Sequence, residues 1–330
     1  MSTPLFLRPG RRTAAVSAAL LLSVSLAACG SDEGEGGATG FDAVEISGEV
    51  GSAPEVAFDG EMNVDGTETE TLAEGDGAEL AAGDSVIVNY WIGNGFTGEP
   101  VDDSFDDKTS GALVTLGAEP QQPQTIDQVA SAAASRLVEA GTTVGSRIAT
   151  VGTAPEVLGL PGVPELGIGN LDPVVLVVDL VEQPLEGPEG QDVQDVPSWV
   201  PELVERDGVP TGWDFQGTPE PTDQLRSATL VEGEGPEVEK GDLLVANYLG
   251  QVYGGDEPFD ESYSGEPVGF GIGLGQVIEG WDEALVGQTV GSRVVLAIPP
   301  AQGYGEQGSP QAGIEGDDTL YFVVDVLGAA

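Results

Sequence analysis

A chain of 330 residues with 57 Asp and Glu against 10 Lys and Arg carries a formal net charge of -47, and it holds no histidine and one cysteine. These counts exclude Ser-His-Asp and Cys-His catalysis, histidine metal motifs, internal disulfides and CxxC redox pairs, so neither a metal nor a redox cofactor is expected. Nucleic acid is not expected as a partner either, because its phosphates are bound by clustered Lys and Arg that displace counterions. With 40% hydrophobic residues the chain can still bury cores, and its length suits two domains of about 100–200 residues each.

In chain order, the first segment reads as an export signal. Arg8, Arg11 and Arg12 precede an uncharged run from Thr13 to Ala28, apolar at its centre and too short for a spanning helix. The run ends at Leu26-Ala27-Ala28-Cys29, which resembles the bacterial lipobox, and the single cysteine falls at the position that is lipidated there. The expectation is an exported protein, anchored through lipid on Cys29 to the outer face of the bacterial cytoplasmic membrane. Residues 29–44 are Gly-rich and acidic and are expected to form a flexible tether.

The remainder is one unit written twice. Thr71 to Asp84 matches Thr229 to Asp242, Asn89-Tyr90 matches Asn247-Tyr248, and Glu99 to Asp102 matches Glu257 to Asp260, all at an offset of 158. Thr143 to Arg147 then matches Thr289 to Arg293 and Val177 to Asp179 matches Val323 to Asp325 at an offset of 146, so the first copy holds 12 extra residues in its middle. A period this long means tandem domains rather than a solenoid. The expected boundaries are 45–183 for the first copy, 184–222 for a Pro-rich linker and 223–330 for the second copy. Within the linker region a short helix is expected near Pro201 to Arg206, and Trp199 and Trp213 are expected to pack on a neighbouring domain.

In the second copy, the runs Asp242 to Leu249, Gly291 to Ile298 and Thr319 to Leu327 are rich in β-branched and apolar residues, which predicts strands. The spacing of Val277, Trp281 and Leu285 predicts one helix. The fold class that follows is α+β, with antiparallel strands wrapped around a short helix in each copy.

The stretches Asn247-Tyr248-Leu-Gly250, Pro258-Phe259-Asp260-Glu-Ser262, Gly273 to Leu285, Val290-Gly-Ser-Arg293, Ile298-Pro-Pro300, Gly303-Tyr304-Gly305 and Thr319-Leu-Tyr-Phe322 occur together and in order. On these residues the second copy resembles the FKBP-type peptidyl-prolyl cis-trans isomerases over about Ser227 to Leu327. The resemblance implies an apolar pocket for a substrate proline, with Trp281 as its floor and Tyr248, Phe259, Phe270, Val277, Ile278 and Phe322 as its walls. It also implies a hydrogen bond from Tyr304 to a substrate carbonyl, another from the Ile278 N–H, and a polar contact from Asp260. Val268, Gln276 and Ile314 complete the expected substrate contacts. Val268 stands where the family often has a second aromatic wall, and the loop after Asp260 lacks the basic residue that the family often carries.

The first copy keeps Tyr90 and Asp102 but has Val101 for Phe259, Leu158 for Tyr304 and Leu176 for Phe322, and counting back from Val144 puts Ser135 at the tryptophan position. It is therefore expected to lack isomerase activity and to serve as a spacer, a dimer surface or a substrate-holding module, or to accept a different ligand. The resemblance implies an isomerase assisting the folding of exported proteins, with proline-containing polypeptides as clients. A non-catalytic holding lipoprotein is the alternative. A transporter's solute-binding lipoprotein would need two lobes of alternating strands and helices, which the repeated β-rich unit does not offer.

Overall fold

The computed structural model describes residues 38–105, 111–118, 123 and 127–330. The export signal, Cys29 and most of the expected tether lie outside the described residues. The end of that tether is already folded, because Ala43 is buried and the Gly40 N–H donates to the Asn63 carbonyl at 2.9 Å.

The first copy runs β1 (Val44–Ser47), β2 (Glu55–Phe58), β3 (Glu68–Ala73), β4 (Ser85–Asn94), β5 (Glu99–Asp103), β6 (Ala112–Thr115), α1 (Asp127–Leu137), β7 (Arg147–Thr153), α2 (Ala154–Val157) and β8 (Pro173–Glu182). The chain continues through β9 (Gly190–Asp192), β10 (Glu202–Arg206) and β11 (Val209–Asp214). The second copy then gives β12 (Arg226–Gly233), β13 (Leu243–Val252), β14 (Asp260–Glu261), β15 (Val268–Gly271), α3 (Glu279–Leu285), β16 (Arg293–Ile298) and β17 (Leu320–Ala329). The two main sheets are antiparallel and share one order, β3-β7-β8-β4-β5 and β12-β16-β17-β13-β14, with β6 and β15 pairing the other half of β4 and β13. Bulges recur at Ile87/Val88 and Val245/Ala246, so even the irregularities repeat. The architecture is two tandem α+β units, each with a sheet curled over a short helix.

The segment expected to be a bare linker is largely folded. Arg206 and Val209 close a two-residue turn in which Asp207 and Gly208 have φ of 56° and 83°, the conformation of a tight β-hairpin. The helix expected over 201–206 is therefore strand β10, one arm of that hairpin. Trp213 is 5% exposed and packs, with Trp199, Leu203 and Phe215 beside it, on the outer side of the second sheet against Leu249, Val295, Tyr321 and Val323. The hairpin β1–β2 and the 3-10 turn before it do the same for the first sheet, where Phe41, Ile46, Val56 and Phe58 cover Trp91, Val151, Val175 and Val177. Each sheet is thus covered on both faces, which is why β8 and β17 are near-continuous apolar runs rather than alternating ones.

The two copies meet through Ile87, Leu243, Val245 and Leu327, all buried, with Leu113 and Leu185 at the margin. Glu182 is half-buried close to this seam, and burial raises its carboxyl above the ordinary carboxylate value, although the Ala329 backbone N–H pulls it part-way back. A group whose folded value lies above its unfolded one adds stability at low pH and loses it as pH rises through the raised value. Glu182→Gln is therefore expected to raise the thermal midpoint at pH 7 by the equivalent of under about 1 kcal/mol, allowing for solvent screening, with the gain gone near about pH 4. A melting series of both proteins across that range checks it.

Candidate functional site: an aromatic cleft in the second copy

Tyr248 lies in the middle of β13, directly opposite Val324 of β17. Its backbone N–H donates to Ser262 Oγ at 2.9 Å, and that hydroxyl donates to Asn247 Oδ1 at 3.1 Å, so the chain after β13 is tied back and carries Phe259 and Asp260 to the cleft rim. Gly250 makes this close packing possible. A Cβ there would lie 2.6 Å from both Phe259 and Phe322. The helix needs the same allowance at Gly280, where a Cβ would lie 2.5 Å from Ile298 Cγ2 of β16, and this close approach sets Trp281 against the sheet.

The result is an open cleft of about 130 Å³ lined by Tyr248, Phe259, Asp260, Phe270, Val277, Ile278, Trp281, Tyr304 and Phe322. Trp281, 4% exposed, is its floor. Tyr248, Phe270 and Phe322 stand edge-on to the indole with ring centroids 5.3, 5.1 and 5.4 Å away, and Phe259 is edge-on to Phe322 at 5.6 Å. Edge-to-face contacts hold such rings rigidly and leave a concave apolar surface. Apart from the Trp281 Nε1–H, which is buried without a hydrogen-bond partner, polar groups stand at the rim. Tyr304 is 43% exposed in the turn after β16, and the Ile278 N–H, just ahead of α3, has no intramolecular acceptor among the described residues. The Tyr248 hydroxyl donates to Asp260 Oδ2 at 2.7 Å. Burial, followed by that bond and the nearby acids, pushes the Tyr248 phenol well above its ordinary value, so it stays protonated as a donor.

Three residues expected to contact substrate are not in the lining. Val268 is exposed at the start of β15, Gln276 is exposed in the turn before α3, and Ile314 is 3% exposed within the core of the second copy. Sequence reasoning gave no role to Ser262, Gly250 or Gly280, which act by positioning the cleft residues. Their signal was present in the matched stretches, without anything to say which contacts they make.

Among the described residues there is no group of three or more His, Cys, Asp or Glu able to hold a metal ion, and no helix is long and apolar enough to cross a membrane. The family model described as FKBP-type peptidyl-prolyl cis-trans isomerase matches residues 235–327. An "FK506-binding protein" of Streptomyces anulatus is 38% identical over 115 residues, spanning 34% of this chain and 92% of that one. The chain belongs to the FKBP-type peptidyl-prolyl cis-trans isomerases.

Human "Peptidyl-prolyl cis-trans isomerase FKBP2" is 45% identical over 89 residues, 27% of this chain and 61% of that protein. Among solved structures, AtFKBP13 matches at 36% identity and a TM-score of 0.30, covering 32% of this chain and 93% of that one. The structure of the 3 FKBP domains of wheat FKBP73 matches at 21% identity and a TM-score of 0.31, over 80% of this chain and 95% of that one.

In this FKBP-type isomerase the first copy retains the scaffold of the cleft without its contents. Tyr90 N–H donates to Ser104 Oγ at 2.9 Å and the Tyr90 hydroxyl to Asp102 at 3.2 Å, repeating the pattern around Tyr248. The helix differs by one position from the sequence count. Ser135 is only half-buried, whereas Ala133, Ala134, Leu137 and Val138 are buried in the same i, i+1, i+4, i+5 pattern as Gly280, Trp281, Ala284 and Leu285. Ala134 therefore stands where the indole does. Leu158, fully buried after α2, takes up space on the side where Tyr304 rims the second cleft.

Proposed function

We propose that the cleft of the second copy isomerises X–Pro bonds in exported polypeptides, and that the first copy is a non-catalytic companion. The observation that carries this reading is the set of rings packed around Trp281 beneath two free donors, Tyr304 and the Ile278 N–H. An X–Pro bond isomerises over a barrier of about 18–20 kcal/mol because amide resonance has to be broken. Water favours the planar, charge-separated imide, so an apolar cleft weakens the ground state that resists twisting. A proline ring on the indole, with its flanking carbonyls held at the rim, lets the protein bind the twisted imide better than either planar isomer. No proton has to move, which suits a chain without histidine.

Export and anchoring through Cys29 rest on Arg8, Arg11 and Arg12, the apolar run and the lipobox-like Leu26 to Cys29. Such an anchor would hold the cleft outside the membrane, where newly exported chains fold.

The test is a protease-free isomerisation assay with an Ala-Leu-Pro-Phe peptide and the chain bearing Cys29→Ser. Exchange faster than the uncatalysed rate, which takes tens to hundreds of seconds at 25 °C, is expected. Suppression of client aggregation with no acceleration of the peptide would replace this reading with a holding module.

A further inference from the structure

Asp260 is the one carboxylate in the lining of the cleft, and its hydrogen bonds come from neutral donors. Oδ2 accepts from the Tyr248 hydroxyl at 2.7 Å and Oδ1 from the Glu261 N–H at 3.0 Å. Next to it, the Glu261 carboxylate accepts from the Ser264 N–H at 2.9 Å and the Ser264 hydroxyl at 2.6 Å, again neutral groups. The ion pairs of Arg293 with Glu205 and Asp325 use up that cation away from the cleft, and among the described residues no Lys or Arg lies within salt-bridge distance of Asp260 or Glu261. The lining contains no Lys or Arg. Glu279, directly after Ile278, and Glu306, two residues after Tyr304, are also exposed acids next to lining residues. A net charge of -47 adds a long-range field of the same sign.

We propose that Asp260, backed by Glu261, selects clients with a lysine or arginine immediately before the proline. This rests on the isomerase reading above. With the proline ring over Trp281, the preceding side chain leaves across the rim. A cationic head there meets the Asp260 carboxylate, which no protein cation neutralises, with the Glu261 charge next to it in the chain, while its aliphatic stem lies along the aromatic wall. An acidic side chain at the same place meets like charge.

The experiment compares kcat/KM for Ala-X-Pro-Phe peptides with X as Lys, Leu or Glu, using the chain bearing Cys29→Ser in a protease-free assay. The expected order is Lys over Leu over Glu, with Lys about fivefold to tenfold above Glu, the scale of an exposed ion pair gained against one repelled. Because the groups are exposed, the gap should shrink strongly in about 0.5 M NaCl. Asp260→Asn keeps the size of the side chain and an acceptor for Tyr248, and with Glu261→Gln it should bring the Lys-to-Glu ratio close to one whatever happens to the leucine peptide. Equal rates for Lys and Glu, or a ratio unaltered in the double variant, overturns the selection, while acceleration of the leucine peptide by the parent chain keeps the isomerase reading standing. If no peptide is accelerated, the isomerase reading falls and the selection falls with it.

Discussion

Trp281→Ala is expected to lower kcat/KM for X–Pro isomerisation by about 100-fold or more, which corresponds to about 3 kcal/mol of lost transition-state binding. The indole is the surface on which the other rings are arranged, with Tyr248, Phe270 and Phe322 all within 5.4 Å of its centroid. Its removal opens the floor of the cleft and separates rings that now brace one another. The same change should cost about 3–5 kcal/mol of stability, the usual scale for a buried tryptophan cut to alanine. Trp281→Phe separates the two effects, since it restores most of the volume and should fold well while recovering only part of the rate. A folded Trp281→Ala protein within about threefold of the parent rate would sink the assignment of the cleft. The first copy shows what replacement of the indole entails, because there Ala134 is accompanied by a fully buried Leu158.

The second large effect is expected at Arg147, remote from the cleft. Arg147 is 2% exposed, and its Nε and Nη2 donate to Asp179 at 2.6 and 2.7 Å, with a further bond from Nη2 to the Ser52 carbonyl. Asp179 is fully buried and also accepts the Gly51 N–H at 2.7 Å. Arg147→Ala leaves a buried carboxylate with that single donor and should cost about 3–5 kcal/mol, read as a lower urea midpoint for the first copy. The equivalent Arg293 is 12% exposed and shares its charge with the half-open Glu205, so Arg293→Ala should cost distinctly less. Replacing both buried partners, as Arg147→Met with Asp179→Leu, should restore much of the loss. Equal losses for Arg147→Ala and Arg293→Ala would show that burial of the pair is not what sets its worth.

The duplication, the strands and the cleft rings were legible because each leaves a local mark. Apolar runs such as Val174 to Val178 mark buried strands, and Trp281 with Tyr248, Phe259 and Phe322 stands in stretches whose residue types and spacing are distinctive. What stayed hidden depends on direction and on distant contacts. Val268, Gln276 and Ile314 lie close in sequence to cleft residues, yet where each side chain points is set by strand pleat, turn and core packing. Counting from Val144 fixed Ser135 by sequence distance, while the longer connection from α1 to Gly141 moves the helix by one residue. Residues 184–222 read as linker through their prolines, but Pro210 sits on a two-stranded hairpin where a missing donor is tolerated, and Asp207-Gly208 was the turn signal that could have revealed it.

The two hairpins also decide where the chain can be divided. Phe41 and Trp199, and Val44 and Glu202, are 158 apart, the same displacement as Thr71 and Thr229. Each copy therefore carries its cover on the N-terminal side of its main sheet, at a matching place in the chain. An excision of the cleft-bearing half that starts at Asp223 would remove Trp199, Leu203, Trp213 and Phe215, baring Tyr321 and Val323 to water and inviting aggregation. The natural point of division is ahead of Glu189, whose N–H donates to the Gly291 carbonyl, since β9 directly after it pairs with β12.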